Sequence, residues 1–426
     1  MYEGTKWRAI DSFLKLQTTV LFPELQVLQF TVRVLYCSLK WSWKKNMNDS
    51  ALFKKVYGSV AAANIGSAIG AAVEWVSVPG GGWKAVEDHF GWVDQLLPWT
   101  QMDRDVRYWN NSPPLHYYHM EMSPGMTEDG AEIRYLLSKV IIEKKGRITV
   151  EDLAETWRLD IQRGDIGKLV NPHIIIHYDR LMAGDENTRI HPKLIGSMTP
   201  WPGLVDAAHM IGPVGIVNAC NPRQAALDTE DICLLLQPPA SGGIEGSKVI
   251  AAATAEAFKP EATVESVVEA AKSYVSLHTR QIIDEVLEIA DKYPDVREIR
   301  EPIRKHFMPT YPYADAVETA AEAVALFLIT KGDVQEGLIG ATNLGRDTDC
   351  IAGMLGSICG AFMGIDGVPS EWVDRVQEAI DENRTTMQKM SMREIAEGLT
   401  EAVLSNLASL KEQVLLVSGL YEAGKV

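Results

Sequence analysis

The chain has 426 residues, with 57 acidic side chains against 41 basic ones, a formal charge of −16, and 46% apolar content. That balance excludes disorder as the main state. The acidic surplus excludes a protein that tracks nucleic-acid phosphates, because such affinity comes from Lys and Arg. One small anionic ligand is still admissible, since a bound divalent cation reverses the local sign. Cys37, Cys220, Cys233, Cys350 and Cys359 are scattered with no CxxC spacing. This is neither a disulfide framework nor a zinc cluster, and it fits a reduced, cytosolic protein.

Residues 1–46 differ in texture from the rest of the chain. They hold Trp7, Trp41 and Trp43 with Lys40, Lys44 and Lys45, and almost no glycine or alanine. An apolar run over residues 18–37 is interrupted by Pro23, Glu24 and Arg33, so no membrane span is expected there. The segment reads as an extension, and residues 47–426 as one all-α domain, a compact orthogonal helical bundle. Residues 58–74 are rich in Ala and Gly and read as a tightly packed helix. Gly66 and Gly70, four apart, let another backbone approach.

Residues 78–124 form a loop-rich insertion with Gly80, Gly81, Gly82, Pro98, Pro113 and Pro114. It is dense in aromatics: Trp83, Trp92, Trp99, Trp109, Tyr117 and Tyr118. Such a stretch is either a lid that stacks a flat ring or a packed flap. Thereafter helical spacing dominates. Ile133, Leu136, Leu137, Val140 and Ile141 share one face, with Thr127 as the expected N-cap. Val317, Ala320, Val324, Phe327 and Leu328 give another. So do Ile351, Leu355, Ile358 and Phe362, and then Ile395, Leu399, Val403, Leu407, Leu410 and Val414. His173 and His177 have the spacing of two metal ligands, but the apolar Ile174–Ile176 between them reads as core. Ser197, Met198 and Thr199 fall in a loop beside the ligand or the core.

Two segments carry chemistry. In Gly345-Arg-Asp-Thr-Asp-Cys350, two carboxylates two residues apart converge on one point only at a helix entry, and hard divalent cations need such oxygens. In Thr127-Glu-Asp-Gly130, a hydroxyl precedes two acids at a helix start, a pattern shared with capping. Glu74 closes the Gly/Ala-rich helix.

In their order these segments resemble the ADP-ribosylglycohydrolase family, over about residues 58–385. Gly66-Ser-Ala-Ile-Gly70 with Glu74 matches its opening segment. Thr127–Gly130 matches its Thr-Asp-Asp-Thr run, Ile211–Gly215 its apolar Pro-Val-Gly stretch, and Gly345–Cys350 its closing Asp-x-Asp motif. The resemblance implies an all-α fold and one or two Mg²⁺ ions, or Mn²⁺. Thr127, Glu128, Asp129, Asp347 and Asp349 would hold them, and Glu74, Asp129 and Asp347 would be catalytic. Asn343, Arg346, His209 and Gly212 would face the substrate. The implied reaction is hydrolysis of the C1″ glycosidic bond of an ADP-ribosylated protein or a ribosyl-containing small molecule. A nucleoside N-glycosidase, and a non-catalytic ADP-ribose-binding or structural descendant, are the alternative readings. Ser67, Glu128, Gly130, Arg346 and Cys350 depart from the family pattern. Cys350 puts a soft thiol where a hard ion wants oxygen.

Overall fold

The computed structural model describes residues 47–77, 82–101, 120–161, 172–185, 187–308, 310–383 and 386–423. The extension 1–46, Trp109, Tyr117, Tyr118 and the side chain of His173 lie outside them. The architecture is all-α. Helix α1 (Ala51–Ser77) opens it, followed by α2 (Gly82–Phe90), α3 (Asp129–Lys144), α4 (Val150–Asp160) and α5 (Pro172–Met182). The short helices α6 (Pro192–Ile195), α7 (Asp206–Met210) and α8 (Gly212–Val217) lead to α9 (Pro222–Ile232) and α10 (Gly242–Ala257). Next come α11 (Val264–Ser273), α12 (Leu277–Lys292), α13 (Arg300–Phe307) and α14 (Ala316–Ile329). The last four are α15 (Val334–Leu344), α16 (Thr348–Met363), α17 (Ser370–Glu382) and α18 (Met392–Ala423).

The centre of the molecule is the pairing of α1 with α16, the most extensive helix–helix contact in the fold. Glycine makes it possible. A Cβ on Gly66 would stand 2.2 Å from the Ala352 carbonyl oxygen, and one on Gly360 would stand 2.1 Å from that of Gly58. The two backbones therefore touch directly, which offsets the loss of about 1 kcal/mol that each mid-helix glycine costs in propensity. Helix α1 is long and apolar enough to cross a membrane, yet 94% of its apolar window is buried within the protein. It is the core helix. Its inward residues Val56, Ile65, Ile69 and Val73 join one continuous apolar cluster with Ile351, Leu355 and Ile358 of α16.

Three sequence expectations shift. The aromatic insertion contains helix α2 and a two-stranded antiparallel ribbon, Trp99–Gln101 with Met120–Met122. Its described tryptophans are packed: Arg297 lies 3.7 Å from the Trp92 ring centroid and Arg300 lies 4.4 Å from that of Trp83. Trp99 donates to the Met126 carbonyl at 3.3 Å. The described part is therefore a packed flap. The N-cap of α3 is Glu128 rather than Thr127, and its carboxylate accepts from the amides of Gly130 and Ala131. On α18 the apolar periodicity outlasts the core: Leu399 is fully buried, whereas Leu407, Leu410 and Val414 are exposed. Helical spacing continues there with nothing among the described residues packed on it.

Candidate metal centre

Asp349 is the hub of the site. Its carboxylate lies within 4.8 Å of one oxygen each from Glu74 and Asp347, and within the same distance of Glu128 and Asp129 in a second group. Three segments thus meet: the end of α1, the start of α3 and the start of α16. Close packing at Gly70 positions them. A Cβ there would stand 2.5 Å from Asp349 Cα, and Thr348 Oγ1 donates to the Gly70 carbonyl at 2.8 Å. The head of α16 is seated on the α1 backbone.

The local backbone tells a capping acid from one turned into the acidic group. Asp347 occupies the N-cap position of α16, with φ −87 and ψ 64, but makes no capping hydrogen bond. Its side chain turns into the acidic group instead. Glu128 does both, capping α3 while standing beside Asp129 and Asp349. Burial and the neighbouring Asp129 raise its pKa well above the usual glutamate value. Clustered buried carboxylates repel one another and call for a counter-cation. Their oxygens suit a hard divalent ion, so the residues present fit the metal that the motifs imply. Thr127 is buried next to Glu128.

Glu74 is buried, and the Tyr313 hydroxyl donates to its carboxylate. Tyr313 is 38% exposed, so it links the inner acid to the surface. Sequence reasoning missed it, because it lies outside every recognised motif. Arg346 holds its loop in place. Its guanidinium pairs with Glu318 at 2.8 Å and donates to the carbonyls of Pro312 at 2.9 Å and Tyr311 at 3.3 Å. Glu318 also accepts from Arg304 at 3.1 Å. Arg346 therefore straps residues 311 and 312, next to Tyr313, to the head of α16.

Two residues expected at the substrate make contacts within the fold. Asn343 is buried, and its amide brackets Val93, accepting from the Val93 N–H at 2.9 Å and donating to its carbonyl at 2.7 Å. It also donates to the Ile339 carbonyl at 2.8 Å. It pins the flap to α15. Gly212 packs against Ser357, whose Oγ would lie 2.7 Å from an added Cβ. Neither belongs to the acidic groups described above.

His209 is buried. Its Nδ1 lies 3.1 Å from Cys350 Sγ, and its Nε2 lies 3.1 Å from Ser67 Oγ and 3.7 Å from Glu128 Oε1. Burial, and then the nearby Arg134, holds its pKa well below the ordinary 6.5, so the ring is neutral. Arg134 is an interior cation, bonded to Ser67 Oγ at 2.9 Å and to the Ala63 carbonyl at 3.2 Å. Burial lowers its pKa to about 10, which keeps it charged at neutral pH. His177 is buried in the core, and Ser197 and Met198 are exposed.

A sequence model of the family described as ADP-ribosylglycohydrolase matches residues 48–408. The uncharacterized protein YegU of Escherichia coli (strain K12) is 22% identical over 331 residues, covering 74% of this chain and 89% of YegU. A solved ADP-ribosylglycohydrolase-related protein complex shares the fold. At 15% identity and a TM-score of 0.53, the match covers 83% of this chain and 99% of that one. The family match takes in α1, the α3 start and the α16 start, the three segments that build the acidic centre. The chain belongs to the ADP-ribosylglycohydrolase family.

Proposed function

We propose that this protein is a divalent-cation-dependent glycosyl hydrolase that cleaves the C1″ N- or O-glycosidic bond of an ADP-ribosylated protein or small molecule. Membership of the ADP-ribosylglycohydrolase family supports the glycosyl-hydrolase reading, and the ADP-ribosyl substrate class is proposed on that ground. The observation that carries the reading is the meeting of Glu74, Glu128, Asp129, Asp347 and Asp349 around a shared Asp349. The all-oxygen group Glu74, Asp347 and Asp349 favours Mg²⁺ or Mn²⁺.

When bound, the cation supplies countercharge and Lewis acidity toward ribose hydroxyls. The residues of the chain do the rest. The carboxylates of Asp347, Asp349 and Asp129 fix the sugar-binding geometry and stabilise positive charge growing on the ring. Glu74, hydrogen-bonded to Tyr313, is placed to take or give a proton at the leaving-group side or at the attacking water. The Arg346 strap holds Tyr313 in reach.

The test is turnover of ADP-ribosyl-arginine, ADP-ribosyl-serine and plain nucleosides, with Mg²⁺ and with chelator. Release of free ADP-ribose from either conjugate, abolished by chelator, is the expected result. Turnover of nucleosides alone would move the substrate to that class. Inactivity on all three would sink the reading.

A further inference from the structure

The acidic centre has a second set of donors behind it. His209, Cys350 and Asp349 bring an imidazole nitrogen, a sulfur and a carboxylate oxygen within 4.8 Å of one another, all three buried. The imidazole has a slot cut for it. A Cβ on Gly130 would stand 2.1 Å from His209 Nδ1, and one on Gly353 would stand 2.6 Å from Nε2. Any side chain at either position would drive the ring out.

The ring is also oriented. Ser67 Oγ sits behind Nε2 at 3.1 Å and is itself held by Arg134, which leaves Nδ1 toward Cys350. A polar partner behind the far nitrogen is how metal-binding histidines are commonly aimed. Magnesium matches such a set poorly, whereas thiolate with imidazole and one carboxylate suits zinc-type ions. Bond lengths of about 2.0–2.3 Å put tetrahedral donors about 3.5 Å apart. The Nδ1–Sγ separation of 3.1 Å therefore needs only a small opening.

We propose that this part of the centre binds a borderline-soft divalent ion of the zinc class through His209 Nδ1, Cys350 Sγ and Asp349, with Asp349 shared with the all-carboxylate position. Three protein donors leave a fourth place for water or a substrate oxygen. The Cys350 thiol loses its proton as the sulfur–metal bond forms, so one proton is released per ion bound. The inference deepens the metal-dependent function proposed above, but it makes its own claim about donor atoms.

Titration of the metal-free full chain with Co²⁺ tests it. The expected result is a thiolate-to-cobalt charge-transfer band in the near ultraviolet, removed by competing Zn²⁺. Cys350→Ser should abolish that band and weaken Zn²⁺ binding by at least about 100-fold, since even indirect ligand support is worth 10–100-fold, with Mg²⁺ binding preserved. Cys350→Ser is near-isosteric, so it keeps the test open if His209→Ala fails to fold. A cobalt spectrum without the band, or one unchanged in Cys350→Ser, overturns the proposal. Mg²⁺-supported ADP-ribosyl hydrolysis without the band would overturn this inference alone. The band without hydrolysis of any ADP-ribosyl conjugate would overturn the function alone.

Discussion

Tyr313 donates its phenolic hydrogen to Glu74, joining residues 239 positions apart at the edge of the acidic centre. Removing the hydroxyl leaves Glu74 without that donor and the half-exposed ring in place. Tyr313→Phe is expected to lower kcat by about 10–100-fold, the lower part of what a positioned acid–base group contributes. KM and melting temperature should change little. An unchanged kcat would remove Tyr313 from proton handling.

Asp349 belongs to all three donor groups of the centre, so it is the residue whose loss costs most. Asp349→Asn should reduce turnover by about 10²–10³-fold, the range seen when one electrostatic stabiliser is lost. It should also relieve repulsion among buried carboxylates. The metal-free variant is therefore expected to melt at or above the temperature of the metal-free parent, and to gain less on adding Mg²⁺. Calorimetric scans with and without Mg²⁺ check both halves.

Asn343 distinguishes a structural role from a substrate role. Both ends of its buried amide are engaged with Val93, and an orphaned buried partner costs about 1–3 kcal/mol. Asn343→Ala should lower unfolding free energy by roughly that amount in urea titration, with KM unaffected. A raised KM at unchanged stability would restore it to the substrate face.

Glu132 gives the fold a pH dependence that is separate from catalysis. Burial raises its pKa from 4.5 to about 7, although Thr386 and Met387 donate hydrogen bonds to it. The folded state then holds a proton that the unfolded state has released, so stability is fully present below about pH 4.5 and falls as pH rises toward 7. The loss amounts to about 3 kcal/mol at one pKa unit per 1.36 kcal/mol. Glu132→Gln should flatten this slope in urea unfolding between pH 5 and pH 7, as expected from linkage at about these pKa values.

Gly70→Ala probes the seating of α16 on α1. The added carbon would meet Asp349 Cα at 2.5 Å, and overpacking of this kind typically costs about 1–3 kcal/mol. Mg²⁺ affinity should fall together with stability, because the same displacement moves the hub carboxylate. Isothermal titration beside urea unfolding would detect the two losses. Loss of stability with affinity intact would separate packing from the site.

Much of the helical framework was legible from spacing, because inward residues such as Ile351, Leu355 and Ile358 recur at the helical period and all are buried. The acidic centre was legible as motif positions, and the structure brings those acids together. What stayed illegible depends on distance in the chain or on missing side chains. Tyr313 reaches Glu74 only through the fold. His209 is admitted by the absence of a Cβ at Gly130 and Gly353; in the sequence Gly130 reads as mere departure from a pattern, and Gly353 as one small residue of a helix. Asn343 lies just before the closing motif yet its amide bonds to Val93 of the flap, and Leu407 to Val414 keep a core-like rhythm after the core has ended.

The glycine seam between α1 and α16 ties the acidic centre to the middle of the fold. With main chain pressed on main chain at Gly70 and Asp349, the head of α16 cannot shift without disturbing α1. Asp349 and Glu74 therefore keep their spacing only while the two helices stay seated on each other.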